Sequence, residues 1–439
     1  MSTYGVTKQF VVLIMTGCIF ILLSGLINFY IGAFLIYNFA LLGLFLLDVK
    51  TSCKPTELKI QREFSLPVEI GKLQHVTISV YNNSKQKLRI ILRDSVPAEI
   101  KCEDSSVSIV CGPGECSTGQ YEIFPVKRGD YVFGNIAVRL TGPLGLCIRQ
   151  FEMPSEHSLP IYPDLQPLKK YRLLANNKRF LKEDAAIRKV RGIGTDFQGL
   201  REYTSDDEFR KINWQATART NKLISNIYDV EKSQDIIIAV DTGRTMISQA
   251  EGLSRLDHSV QSALVLAQAA LMNGDRVGLL IFGDKTKLFL KPSKNKDQIN
   301  KILDALYPIQ PEYYESDYNE LVSNLQILQR KRSLVCLFTH IRDEESCREL
   351  AETLTHLNKK HVLMLVSVIN PGLKKLIDAD TINMEAIYGK SSAIHRLNAE
   401  RNASLILSHC GITNIITEPG QLTPEIINRY IAIKKQMKL

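Results

Sequence analysis

The chain is short of the features that usually announce chemistry. Its nine cysteines contain no C-x-x-C pair, and their odd number and scatter exclude a disulfide framework and a zinc knuckle. Free buried thiols in a reducing compartment are expected instead. No G-x-x-x-x-G-K-[ST] phosphate loop, H-E-x-x-H helix or G-x-S-x-G elbow occurs anywhere. The glycine-rich RGIGTDFQG follows no strand and lacks the G-x-G-x-x-G spacing, so it reads as a loop rather than a nucleotide cradle. There is one tryptophan. Charge is missing in one place: no charged residue lies between Phe10 and Leu47.

That uncharged run exceeds a single bilayer crossing of roughly 20 residues and suits two tight ones. Its polar break near Asn28 predicts helices at about 10–27 and 29–47, a transmembrane hairpin filling residues 1–50. Two abutting apolar runs without a small-residue cleavage site do not make a signal peptide. Lys8 precedes the first helix, and Lys50, Lys54, Lys59 and Arg62 follow the second, so both ends are expected on the cytoplasmic side of a membrane.

The remainder is ordinary globular sequence: 439 residues, 45% hydrophobic and 23% charged. Between residues 57 and 163, VEIGKLQHVTISVYN, KLRIILRD, SSVSIVC, GQYEIFPV and IAVRLTGP alternate apolar and polar positions, which predicts an antiparallel β-sandwich. Residues 164–234 form a basic connector that holds much of the net charge of +9. No nucleic-acid module accompanies it, so a headgroup layer or an acidic protein face is the better match for that charge.

From 235 to 439, short β-branched runs alternate with helical patterns: DIIIAVD, RVGLLIF, SLVCLF, HVLMLVSV and TNIIT are the expected strands of a doubly wound α/β domain. TKLFLKP should add an antiparallel edge strand, and the last helix is expected over PEIINRYIAIKKQ with Pro424 in its first turn. His258, on an apolar helix pattern, reads as a structural histidine. Ligand-binding crevices of such sheets lie at the carboxyl ends of the strands. The first strand ends there in VDTGRTM.

PVKRGDYVFG, GPLGL, LPIYPDL and above all GTDFQGLREYTSDDEFRKINWQATARTNKLI resemble a family of bacterial membrane proteins of uncharacterised function that carry a von Willebrand factor A-like domain and are often found with MoxR-type AAA+ ATPases. The signature residues are Arg201, Tyr203, Asp206, Arg210, Ile212, Trp214, Ala218 and Arg219. The resemblance implies a multidomain protein of the bacterial inner membrane, with its soluble part cytoplasmic. It implies a non-enzymatic scaffold or adaptor with a MoxR-type ATPase as partner.

It also implies a magnesium site of the metal-ion-dependent adhesion type, with Asp241, Thr245 and Asp317 as ligands and Ser316 as the other candidate for the third element. That site is degenerate: Gly243 replaces a hydroxyl, and His340 stands where a second Asp belongs. A hard cation wants about six oxygen ligands, and imidazole removes both a charge and a hard donor. The structural alternative has Asp241 capping a backbone turn and Thr245 starting a helix. A rival function is a metal-dependent hydrolase or ligand receptor built on Asp241, Asp317 and His340, for which the convergent carboxylates are too few for a two-metal centre.

The signature segment also admits two readings. It is a docking surface, since Arg and Trp are common hot spots. Or Arg201, Arg210 and Arg219 pair with Asp206, Asp207 or Asp229 while Trp214 fills a junction. The second is favoured because Ile212 and Trp214 occupy core-like positions between charged ones.

Overall fold

A computed structural model describes residues 3–24, 30–176, 196–204, 209–229, 233–341, 343–378 and 384–436. The chain divides into two compact units, Met1–Asp164 and Leu165–Leu439.

The first unit opens with two apolar helices, α1 (Lys8–Ser24) and α2 (Tyr30–Thr51). Both are displaced by a few residues from the sequence expectation, and Asn28 lies outside the described residues. They touch along their length: the rings of Phe10 and Phe45 lie 5.0 Å apart, and Tyr37 donates to the carbonyl of Leu13 at 2.6 Å. The stretch Phe34–Thr51 is long and apolar enough to cross a membrane, and α1 carries a shorter apolar stretch. Side chains such as Phe39 (79% exposed) and Ile36 (66%) point outward, as suits a helix whose surroundings are apolar.

Antiparallel sheets follow, with the period-two burial that the alternation predicts. In Leu88–Asp94 every second residue is buried, and Ser106–Cys111 behaves likewise. A five-stranded sheet orders Thr3–Val6, Cys147–Met153, Ile136–Thr141, Leu88–Asp94 and Ser106–Cys111; a four-stranded sheet orders Leu58–Phe64, Gln74–Asn82, Cys116–Pro125 and Ile100–Lys101. Thr3–Val6 precedes the apolar helices as an edge strand that sequence patterning did not mark, pairing with residues 147–150.

A buried ion pair links these two sheets. Arg62 donates to both oxygens of Asp94, from Nε at 2.8 Å and from Nη2, and to the carbonyls of Ser155 (2.9 Å) and Gly134 (2.8 Å). Tyr121 adds a third donor to Asp94 at 2.5 Å, and burial, then Asp94 itself, pushes its phenol pKa upward. Geometry this complete is what a buried pair requires, because one partner alone is an uncompensated charge.

The second unit contains a six-stranded sheet in the order Thr286–Ser293, Arg276–Phe282, Asp235–Asp241, Ser333–Phe338, Val362–Val368, Thr413–Thr417. All neighbours are parallel except the Thr286–Ser293 edge, the antiparallel strand expected of TKLFLKP. Every residue of Asp235–Asp241 is buried, so both faces are covered. Ile237 and Ala239 pack with Leu321, Leu350, Leu354 and Leu407 from three helices. The helix Arg255–Met272 packs on the same strand, capped by Ser254 and Asp257 and ended at Gly274 with φ of +81°.

The last helix begins earlier than expected, at Pro419, which takes the first-turn position; Pro424 lies inside it. A 26-residue helix, Met384–His409, was not foreseen. The eight described cysteines are free and five are buried, while Cys116 and Cys410 are exposed.

Replacing Asp94 with Ala leaves the Arg62 guanidinium buried without its anion, and should cost roughly 3–5 kcal/mol of stability. Urea unfolding of the detergent-solubilised chain measures it; a loss below about 1 kcal/mol, the value of an exposed pair, would show that the pair does not join the sheets.

Candidate functional site

The chain leaves the sheet centre in opposite directions from Asp235–Asp241 and Ser333–Phe338, so the crevice between their carboxyl ends is the switch point of the fold. Asp241 ends the first of these strands with 0% exposure. Its Oδ1 accepts from the amide of Gly243 at 2.7 Å and from Ser316 Oγ. Its Oδ2 accepts from Thr339 Oγ1 at 2.5 Å and from the Tyr318 hydroxyl at 3.4 Å, and those two hydroxyls meet at 2.8 Å. Burial raises the Asp241 pKa, and the donors pull against that rise.

Around this carboxylate the segment 312–317 is bound through the backbone to the 241–244 turn and to Gly283. Glu312 N donates to Thr242 O (2.7 Å), Arg244 N to Tyr314 O (2.9 Å) and Asp317 N to Gly283 O (2.8 Å). Arg244 pairs with Glu315. Lys287 donates to Thr242 Oγ1 at 2.8 Å and pairs with Glu312 at 2.8 Å, which puts an ammonium beside the turn. Glycine at position 243 makes room for Ser316: a Cβ there would overlap Ser316 Oγ and displace it from Asp241. The hydroxyl missing from position 243 is supplied from another loop.

The structure does not gather the expected metal ligands around one point. Asp241 is engaged as described. Asp317 caps the helix Tyr318–Leu328, its Oδ1 accepting from Asn319 N (2.9 Å) and Glu320 N (3.1 Å). Thr245 lies in the single turn Arg244–Met246, and its buried Oγ1 has no hydrogen-bond partner among the described residues. His340 is 2% exposed, with Nδ1 on Ser367 Oγ at 2.9 Å and Nε2 facing Arg396 (3.5 Å) and Glu400 (3.9 Å).

A divalent cation would find one carboxylate already held by four donors and a neighbouring ammonium, with the nearby acids Glu312 and Glu315 paired to Lys287 and Arg244, so this donor set does not fit magnesium. Among the described residues no group of three or more His, Cys, Asp or Glu could hold a metal ion. The structural alternative fits better: Asp241 caps the turn at Gly243, although Thr245 sits within the short helical turn rather than at its start.

A second ionisable cluster adjoins the crevice. Arg255, 3% exposed, donates to the carbonyls of Val368 (3.1 Å) and Thr245 (3.3 Å), and burial with Arg396 nearby lowers its pKa to about 10. Glu400 is 4% exposed and neither carboxylate oxygen has a hydrogen-bond partner among the described residues. Burial raises its pKa against the pull of Arg255 and Arg396. Arg396 and Glu400 belong to the unforeseen helix; their i,i+4 spacing in RLNAE was the available signal.

The signature segment folds as a two-stranded ribbon, Asp196–Glu202 against Ile224–Asp229, enclosing the helix Trp214–Thr220. Ile212 is buried as expected. Trp214 is not: it is 58% exposed and meets Phe209, 68% exposed, edge to face at 5.7 Å. Asn213 caps the helix through Ala216 N, which turns the tryptophan beside it toward solvent. Arg201 donates to Thr204 at 3.3 Å, Tyr203 N bonds Leu223 O at 2.8 Å, and Arg210 and Arg219 are exposed. Asp206 and Asp207 lie outside the described residues, as does the side chain of Asp229.

Residues 199–398 match a family model described as a protein of unknown function, DUF58. The match begins in the signature ribbon and takes in Asp241, Ser316, Thr339 and His340. An uncharacterised protein, YeaD, of Bacillus subtilis (strain 168) is 23% identical over 188 residues, 41% of this chain. The chain spans 42% of that relative's length. Among solved structures, the conserved hypothetical protein BatB from Bacteroides thetaiotaomicron aligns over 46% of this chain and all of its own, at 14% identity and a TM-score of 0.28. Proximal thread matrix protein 1 from the mussel byssus, solved with a zinc-occupied MIDAS motif, aligns over 46% of this chain and 45% of its own, at 11% identity and a TM-score of 0.26.

Two outcomes follow. Gly243→Ser should lose roughly 1–3 kcal/mol through overpacking against Ser316, and Ser316→Gly in the same chain should recover part of it. An unchanged urea midpoint for Gly243→Ser alone would refute the packing account. At the opposite end of the sheet, burial, with Lys360 and Arg332 nearby, pulls the pKa of His361 down to about 4. The unfolded chain binds this proton near pH 6.5, so the stabilisation is complete above about 6.5 and is lost as pH falls toward about 4. Unfolding temperatures should drop across that window, and His361→Gln should flatten the slope.

Proposed function

We propose that this chain is a non-enzymatic adaptor of the bacterial inner membrane. The helices α1 and α2 form a two-span hairpin, and the soluble units lie in the cytoplasm on the side of Lys8, Lys50 and Lys54. The α/β domain is von Willebrand A-like, and it serves a protein partner rather than a substrate. The observation that carries this reading is the state of Asp241: the carboxylate at the carboxyl end of the first strand is buried and held by four internal donors, so it is engaged in holding the turn rather than offered to a substrate.

The partner is a MoxR-type AAA+ ATPase, a choice that rests on the resemblance of the signature segment. The surface offered to it includes Phe209 and Trp214, two large aromatic side chains left in solvent within that segment. Exposed aromatics of this kind are frequent anchors of protein interfaces.

Affinity capture of the full chain from its native membranes in the presence of ATP should recover an AAA+ ATPase, and the pair Phe209→Ala with Trp214→Ala should reduce that recovery at least about tenfold. Repeated capture without any AAA+ protein, from a chain shown to be folded, would reject the adaptor reading.

A further inference from the structure

We infer that the sandwich carries its own membrane contact: the turn at residues 142–146, clamped between the ends of α1 and α2, places Pro143 and Leu144 in the headgroup boundary of a phospholipid bilayer. The inference rests on the reading of α1 and α2 as membrane spans.

The clamp begins with a charge in an unexpected place. Asp48 lies in the last turn of α2, directly after its uncharged run, and is 0% exposed. Its carboxylate accepts from three backbone amides of the turn region, Leu144 N at 2.7 Å, Leu146 N at 2.8 Å and Cys147 N at 2.8 Å. Such charge-assisted bonds are short and roughly twice as strong as neutral ones. Gly142 has no alternative in this position, since a Cβ there would overlap the Asp48 carboxylate, and Gly145 adopts φ of +72°.

The other jaw is Thr7, which immediately precedes α1. Its hydroxyl donates to Gly145 O at 2.6 Å and accepts from Phe10 N at 3.2 Å, while its amide donates to Leu146 O at 3.0 Å. One residue therefore caps α1 and holds the turn. The turn cannot draw back from the helix ends without breaking five hydrogen bonds.

Its height relative to the bilayer follows from the helix. Leu44 lies four residues before Asp48, about 6 Å along the axis at 1.5 Å per residue. The interfacial layer on each side of the hydrocarbon core is about 5–7 Å deep. Leu44, on the same helical face as Asp48, is 47% exposed, and Leu144, whose amide binds Asp48, is 52% exposed. Lys8, Lys50 and Lys54, all exposed, stand around the same level, where ammonium groups meet anionic headgroups. Apolar tip, basic surround and a fixed attachment to the helix ends together match a lipid surface.

The test uses the full chain in vesicles of phosphatidylcholine and phosphatidylglycerol, with acyl chains brominated either near the headgroup or near the bilayer centre. Trp214→Phe removes the native fluorophore. Single tryptophans are then introduced as Leu144→Trp, as Phe34→Trp, which is exposed on α2 about 15 Å along the axis from Leu44, and as Val110→Trp on the edge strand Ser106–Cys111. Leu144→Trp should lose most of its emission to lipids brominated near the headgroup and much less to those brominated at the centre. Phe34→Trp should be quenched most by deep bromine, and Val110→Trp by neither. Strong quenching at position 34 with none at position 144 would overturn the membrane contact while leaving the spans intact. No quenching at position 34 would overturn the spans and the contact with them.

Discussion

A carboxylate removed from water must be met by donors, and this protein repeatedly uses that demand to fix one piece of backbone to another. Asp48 ties the end of an apolar helix to the sandwich, Asp94 ties one sheet to the next, and Asp241 ties the sheet to the segment that crosses its carboxyl end. A fourth, Asp275, is 0% exposed and accepts from Tyr430, from Lys434 at 2.8 Å and from Gln234 N at 3.0 Å, attaching the last helix to the start of the sheet. Each anion has several partners from distant parts of the chain. Removing it leaves several donors unsatisfied at once, which makes such nodes specific as well as stabilising.

The same constraint explains the character of the crevice. In an open α/β sheet the switch point is where a ligand would normally find unengaged polar groups. Here Ser316, Thr339 and Tyr318 all face inward onto Asp241, and Lys287 and Glu312 close over Thr242. Outward-facing are Tyr313 and Tyr314 of the segment that crosses the crevice, the aromatic pair on the signature ribbon, and the turn beside the helix ends.

Much of the architecture was legible because burial imposes a period. Alternation in KLRIILRD and SSVSIVC marked sandwich strands, and unbroken apolar runs such as DIIIAVD marked strands covered on both faces. Met384–His409 was missed because only four of its residues are buried, too few to leave a helical stripe in the sequence. The partners of Asp241 were less legible than the strand that carries it. Val240 pairs with Phe338, so Thr339 rather than His340 comes level with Asp241, a consequence of strand register that no local pattern encodes. Likewise nothing in ESDYNE distinguishes the serine that reaches Asp241 from the aspartate that caps the next helix.

The close approach of Gly243 and Ser316 has a historical consequence. A side chain at position 243 and the Ser316 hydroxyl in its present place compete for one space, so an ancestor with a hydroxyl at 243 held Ser316 differently, and regaining that hydroxyl now displaces Ser316 from Asp241. Losing Ser316 first deprives a buried anion of a donor; gaining a side chain at 243 first makes two groups compete for one space. Every single-step route back crosses a less stable intermediate. The exchange works as a ratchet, so descendants of this chain should keep the glycine and the serine together or lose them together.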